Sequence, residues 1–312
     1  MSTRFSVVIA TYNRRESLLR CLAAVTQLDY PDYEVIVVDD GCTDGSIAAA
    51  QERFPQVRYL GHATNTGEPA ARNRGVHAAT GDVIAFTDDD CLPPRDWLRR
   101  HARHYDDARI AAAGGPQVCP APNFYEEFDA AQWTIRFDGL ETIEHIDNYE
   151  HLLTGNMSVR REVFARVGPF DEGFRSGCDS DFIRRVSRAG YRFVRDPDLQ
   201  VDHLKVHDFL PYLAFRFHRA LGSVLIDVKE GTLSVRRFLP ILNLVHTLDS
   251  WRRFSQRRGG GPITLVRFWG LAQLTRVVEV AGRVYYYWTV GRRYRPPAPP
   301  IVSPTGPLSR TG

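Results

Sequence analysis

The chain has 312 residues, 43% of them hydrophobic and 25% charged, which excludes a disordered, collagen-like or disulfide-scaffold chain. No apolar run reaches about 18 residues, so no bilayer-spanning helix is expected. The net charge of +3 hides an asymmetry: residues 1–203 carry 23 Arg and no Lys against 32 acids, a net of −9, whereas residues 204–312 carry 17 basic residues against 5 acids, a net of +12.

The first 115 residues alternate between apolar runs and amphipathic stretches. FSVVIA (5–10) reads as a buried strand, and Arg14 to Gln27 carries Leu18, Leu19, Leu22, Ala23 and Val25 at helical spacing. YEVIVVDD (33–40) predicts a second strand, followed by a short helix that Thr43 or Asp44 would cap, and VRYL (57–60) a third. A polar turn at Asn65–Gly67 leads to a helix over Glu68–Ala79 and the strand DVIAFT (82–87). Strands alternating with helices imply βαβ units and a parallel sheet, and uninterrupted apolar strands imply cover on both faces.

Between 116 and 155 the pattern loosens around Pro116, Pro120 and Pro122, predicting loops, short strands and at most one helix. NMSVRREVFARVG predicts a strand then a helix, Asp179 to Ala189 a second helix ended by Gly190, and YRFV and LQVDH two short strands. Beyond about 205 the chain becomes helical, basic and aromatic. A break at Arg257–Pro262 precedes a helix from Ile263 to about Val290, and the tail 291–312 is Pro-rich and expected to be disordered. Three units are therefore expected: 1–205, 206–290 and 291–312.

The apolar stretch of MSTRFSVVIATYNRR is too short and too early for a signal peptide, so a cytoplasmic location is expected. The five cysteines form no CxxC pair, and reduced, mostly buried thiols are expected rather than zinc or disulfides.

The strongest chemical signal is FTDDDC, a strand running into Asp88, Asp89 and Asp90. In an extended chain Asp88 and Asp90 would share one side and Asp89 the other. Carboxylates at the carboxyl end of a parallel strand sit where open α/β sheets bind ligands, and their repulsion suits a divalent cation held with substrate phosphates. Asp39 and Asp40 end another strand. There is no GxGxxG and no GxxxxGK[ST], so any bound phosphate must be neutralised by metal and Arg.

SVVIATYNR, YEVIVVDDGCTDGS, NTGEPAARNRG, GDVIAFTDDD, TGNMSVRREVFARVGPFDEGF and GCDSDFIRRVSRAGYRF occur in that order. Together they resemble a family 2 glycosyltransferase of the GT-A fold over residues 5–205. The resemblance implies a Rossmann-like, mostly parallel α/β sheet flanked by helices, here with a C-terminal α-helical extension. It implies inverting, metal-dependent sugar transfer from a nucleoside-diphosphate-sugar (UDP, GDP or dTDP) to a hydroxyl of a glycan, lipid-linked saccharide or small molecule.

By that resemblance Ala10, Thr11, Tyr12 and Arg14 would line the nucleotide pocket, with Asp39 and Asp40 at the base and Gly67, Arg72 and Asn73 on the neighbouring loop and helix. Asp88 and Asp90 would be the DxD pair, with Asp88 on ribose or metal and Asp90 binding Mn²⁺ or Mg²⁺, and Asp89 would belong to the nucleotide site. His203 would complete the metal shell, with His207 a weaker candidate. Gly155, Asn156, Cys178 and Asp181 would border sugar and acceptor, and Asp179 would be the catalytic base. Cys178 stands where the family usually has Glu, which bears on the acceptor.

Two other readings are open. A sugar nucleotidyltransferase would need a Gly-, Arg- and Lys-rich loop after the first strand, where this chain has TYNRRES; a non-catalytic nucleotide-sugar binder would have lost the DxD or the base. The basic C-terminal half, including RRFLPILNLVHTLDSWRRF, is expected to pack on the catalytic domain or in a homodimer, or to lie on an anionic membrane at the inner face. Nucleic acid is not an expected partner.

Overall fold

In the computed structural model, residues 3–136, 143–144, 152–204, 207–233, 252 and 261–295 are described. RRFLPILNLVHTLDSWRRF apart from Arg252, the Arg257–Gly260 break and most of the Pro-rich tail lie outside them. The strands are β1 (Phe5–Thr11), β2 (Tyr33–Asp39), β3 (Arg58–Gly61), β4 (Val83–Thr87), β5 (Cys91–Leu92), β6 (Ile110–Gly114), β7 (Gln117–Val118), β8 (Ile143–Glu144), β9 (Asn156–Arg160), β10 (Arg192–Arg195) and β11 (Val201–His203). The helices are α1 (Arg15–Val25), α2 (Ser46–Arg53), α3 (Glu68–Ala78), α4 (Trp97–Ala102), α5 (Phe124–Arg136), α6 (Arg161–Val167), α7 (Cys178–Arg188), α8 (Phe209–Glu230) and α9 (Pro262–Tyr286), the last running into a π-helical turn at Tyr287–Gly291.

The main sheet has the order β3-β2-β1-β4-β9-β6-β10-β8. β3, β2, β1 and β4 run parallel, β9 enters antiparallel between β4 and β6, and β6 and β10 are parallel. The carboxyl ends of β1, β2 and β4 therefore share one edge. Because β9 is reversed, its first residue, Asn156, faces Thr87 at that same edge. A small second sheet, β5-β11-β7, sets His203 opposite Cys91.

The apolar strands are buried on both faces, as their continuous hydrophobicity predicts. Val8, Ile36, Val38, Ile84 and Phe86 belong to one core, and Val7, Ile9, Val35, Val37, Val83 and Ala85 to the other. The loose 116–155 region contributes α5, whose Phe128 and Ala131 pack with Tyr212 of α8 and Phe268, Leu271 and Ala272 of α9. The C-terminal helices also enter the first core through Leu221, Leu225, Ile226 and Tyr286. No helix of the described residues is long and apolar enough to cross a membrane. The N-cap of α2 is Gly45, at φ +75°, rather than Thr43 or Asp44; the Asp44 carboxylate instead accepts from the backbone N–H of Ser46 (3.0 Å) and of Arg15 (3.2 Å), joining the starts of α2 and α1.

His101 of α4 is fully buried, its Nδ1 2.7 Å from Ser158 Oγ and its Nε2 3.4 Å from Asn156 Oδ1. Burial pushes its pKa down to about 3. The folded protein keeps this imidazole neutral while the unfolded chain protonates it below about 6.5. Stability is therefore expected to fall as pH drops from about 6.5 towards 3, by a few kcal/mol at most. His101→Gln should flatten that part of the pH profile in urea titrations, and an unchanged slope would show that His101 does not set it.

Candidate active site

β4 stops at Thr87, and the chain then turns: the Cys91 N–H donates to the Asp88 carbonyl at 3.0 Å. The turn overrides the alternation expected of an extended Asp88-Asp89-Asp90. Asp88 Oδ1 accepts from Arg72 Nη2 at 2.8 Å. Asp89 is buried; it accepts from Thr11 Oγ1 at 2.8 Å and from Arg14 Nη1 at 3.1 Å. Burial pushes its pKa up to about 6, with Arg14 opposing. Asp90 accepts from the same Arg14 Nη1 at 2.8 Å, and its Oδ1 lies 3.3 Å from His203 Nε2. Asp89 and Asp90 thus share one guanidinium, and Asp88 faces another.

Among the described residues, ligand atoms of Asp90, Cys91 and His203 lie within 4.8 Å of one another. A carboxylate oxygen and an imidazole nitrogen form a donor pair that suits Mn²⁺. Burial and the neighbouring aspartates raise the pKa of the buried Cys91 thiol well above the usual range, which favours the oxygen and nitrogen donors over it. Asp88, also expected on the metal, lies outside this group because its carboxylate bonds Arg72.

Arg72 of α3 is 4% exposed. Its Nη2 donates to Asp88 and Glu68, and its Nη1 lies 3.6 Å from Cys178 Sγ. Asp179, next on α7, accepts from the Ser180 N–H at 2.7 Å. Burial raises its pKa above the ordinary carboxylate range, with Arg72 acting in the opposite direction. Gly177, at φ +76°, is the residue that caps α7, so Asp179 is not the cap. Burial also pushes the Cys178 thiol far up, which suits an inert side chain.

Two residues expected at the sugar and acceptor stand elsewhere. Asp181 follows Asp179 by two residues, about 200° around a helix. It accepts from Arg185 Nε at 2.9 Å and Lys229 Nζ at 2.7 Å, an ion-pair cluster joining α7 to α8. Asn156 is fully buried, accepting from Trp97 Nε1 at 2.9 Å and donating to the carbonyls of Pro116 and Leu199. It ties strands together inside the protein. Gly155 does reach the site edge: a Cβ there would stand 2.7 Å from Asp88 Oδ2 and 2.6 Å from Gln117 Nε2. His207 pairs with Glu126 at 3.0 Å, apart from the His203 group.

At the far side of the edge, Asp40 is buried and accepts from the N–H and hydroxyl of Thr66 (both 2.8 Å), the Gly67 N–H (2.9 Å) and His62 Nδ1 (3.1 Å). Its bonds to 62–67 hold the loop against β2, so a base edge would have to share them. Asp39 Oδ1 accepts from the Cys42 N–H at 2.7 Å. Ala10 lies within β1, Tyr12 is exposed, and Asn73 Nδ2 donates to the Phe170 carbonyl at 2.9 Å. A cleft of about 540 Å³ opens beside Arg14 and Asp90, lined also by Arg15, Glu16, Ser17, Asp44 and Leu204. Sequence reasoning missed Glu68 and Gln117. Glu68 stands four residues before Arg72, a spacing that does signal a helical ion pair; Gln117 carries no such signal.

The glycosyl transferase family 2 profile matches residues 6–168. Glycosyltransferase AglE of Haloferax volcanii is 32% identical over 294 residues, covering 90% of this chain and 95% of that protein. A glucosyl-dolichyl phosphate glucuronosyltransferase of the same organism is 27% identical, covering 79% and 85%. Among solved structures, the mannosyltransferase PcManGT of Pyrobaculum calidifontis, in complex with GDP-Man and Mn²⁺, superposes with a TM-score of 0.65 at 19% identity, covering 92% of this chain and 88% of that one. That likeness supports the GT-A fold.

Asn156→Ala should cost about 2–4 kcal/mol, because it strands buried donors and acceptors. Gly155→Ala meets only side-chain ends and should cost less than about 2 kcal/mol. Urea denaturation of both variants checks the order; the reverse order would contradict the buried role of Asn156.

Proposed function

The chain belongs to glycosyl transferase family 2 and is a glycosyltransferase, and on that premise we propose an inverting, metal-dependent enzyme that moves a sugar from a nucleoside-diphosphate donor to a lipid-linked or glycan hydroxyl. The observation that carries this reading is the grouping of Asp179, Asp88 and Glu68 around the buried Arg72, beside Asp90 and His203. The names of two neighbours add support: one relative acts on a dolichyl-phosphate-linked glucose, and one structure holds GDP-Man with Mn²⁺.

Asp179 accepts the acceptor's hydroxyl proton while the oxygen attacks the anomeric carbon from the side opposite the diphosphate. The new C–O bond forms as the old one breaks, and its electron pair leaves on the diphosphate. Burial raises the Asp179 pKa and makes its carboxylate a stronger base, while Arg72 acts in the opposite direction and favours the ionised form. Asp90 and His203 would hold Mn²⁺ or Mg²⁺, and Asp88, outside that group, would meet the ribose. Bound there, the cation supplies charge neutralisation on the departing diphosphate, so no general acid is needed. Arg14, half exposed and ion-paired with Asp89 and Asp90, would meet the donor phosphates from the same side.

A thermal-shift panel of UDP, GDP, dTDP and CMP, each with and without Mn²⁺, tests the donor and the metal. One nucleoside diphosphate should stabilise the protein, by about 2.7 kcal/mol at 100 times its dissociation constant. The shift should grow with Mn²⁺ and vanish in Asp90→Ala; a shift indifferent to both would overturn the metal assignment.

Asp179→Asn should keep that shift and lower kcat by about 10²–10⁴. The base must be ionised, so kcat/KM should rise with pH through the pKa of Asp179. Arg72 holds that pKa down, so Arg72→Gln should move the rising limb to higher pH. A limb that stays in place in Arg72→Gln would separate Arg72 from the base.

A further inference from the structure

α9 has two unlike faces. Phe268, Leu271, Ala272, Thr275, Gly282 and Tyr286 are buried. They lie towards α5 and α8: Phe268 meets Phe124, and a Cβ on Gly282 would come within 2.5 Å of the Phe217 carbonyl. The helix is thus seated on the body of the protein by this face. The opposite face carries Ile263, Val266, Leu274, Val277, Val284 and Trp288, with Val266 66%, Val277 56% and Trp288 59% exposed. Their spacing keeps them on one stripe of a helix. A helix of 25 residues is about 37 Å long, so the stripe is far more than a scatter of single surface residues.

The charge beside the stripe identifies what covers it. Residues 262–295 hold six Arg and one acid, Glu279, which is already paired with the buried Arg216. Arg267 and Arg292, both exposed, stand next to the stripe, so two copies set face to face through it would bring like charges together. An anionic bilayer surface is complementary to the same arginines. The aromatic end, Tyr285 and Trp288, has the amphipathic rings that favour the headgroup level, and Arg292 lies over the Trp288 ring at 4.5 Å.

We infer that α9 is a membrane-surface helix: its stripe from Ile263 to Trp288 inserts into the headgroup region of an anionic bilayer, with its arginines among the lipid phosphates. This goes beyond the sugar-transfer reading and does not depend on it. The docked helix connects to the site through rigid contacts. α9 packs on α8 at Gly282, and Gly222 of α8 stands against Ser176 and Gly177, where a Cβ would be 2.6 Å from the Ser176 carbonyl. Asp179 follows two residues later. A bilayer under α9 would therefore hold α7 at a set height above the lipid.

Flotation of the full chain with phosphatidylcholine vesicles, with and without phosphatidylglycerol, tests this. The protein should float with the phosphatidylglycerol vesicles, stay behind with phosphatidylcholine alone, and be released by high salt. Val266→Glu/Val277→Glu should lower partition by about tenfold or more, and Trp288→Ser by less, with melting temperature unchanged in both. Asp90→Ala should float like the parent, which separates this outcome from failure of the nucleotide panel. Failure of the parent to float would overturn the inference, as would flotation of the double Glu variant at parental levels. Light scattering supplies the remaining check: a dimer that the double Glu variant splits would assign the stripe to a second copy and overturn it too.

Discussion

Arg72 carries its charge almost wholly out of water, and a buried guanidinium is tolerable only when its donors meet acidic partners. Glu68 comes from its own helix, Asp88 from the end of β4 and Cys178 from the start of α7. α3 and β4 follow one another in the chain, whereas Cys178 lies 106 residues beyond Arg72. The requirement to neutralise one cation holds Glu68 and Asp88 at a single edge of the sheet, and the Cys178 thiol packs against the same guanidinium without adding charge. Its field also reaches Asp179, opposing the effect of burial on that carboxylate. The arrangement is therefore structural and chemical at once: the ion that closes the site also sets the basicity of the group expected to accept a proton.

The second constraint is how α7 is backed. Lys229 of α8 bonds Asp181 at 2.7 Å and Asp171 at 2.8 Å, and Tyr294 donates to Asp171 from beyond α9. Gly177 and Gly222 allow α8 to touch the chain where α7 begins, with a Cβ on Gly177 only 3.1 Å from the Gly222 Cα. The helical extension thus shares a core with the sheet and supports the segment that carries Asp179. Asp181 is spent on this support, which explains why it stands away from the site.

The places where sequence and structure part have specific physical causes. Alternation at Asp88-Asp89-Asp90 presumes an extended chain, and the strand ends one residue earlier. Asn156 looks like a site residue because it follows Gly155 at the edge, but β9 is antiparallel and its pleat sends that amide inward to Trp97 and Leu199. Glu68 was overlooked because a glutamate in a first helical turn has an ordinary explanation in the helix dipole. The one helix allowed in 116–155 could not be placed among prolines and aromatics, because the stability of α5 comes from Tyr212 and Phe268, residues that no local window contains.

Local pattern alone determined a good deal about this protein. The apolar runs made β1, β2 and β4 buried parallel strands, the ordered motifs identified the family, and the acids at strand ends marked the edge that carries the candidate site. Those features depend on neighbours in the chain, so they can be read from it. Tertiary structure decided the rest: which carboxylate meets which arginine, that Asp90 rather than Asp88 lies beside His203, that Asp181 and Asn156 serve the framework, and that one face of α9 is covered while the other is open. Each of these depends on groups brought together across tens to hundreds of residues, and burial and Coulomb forces act on distance in space.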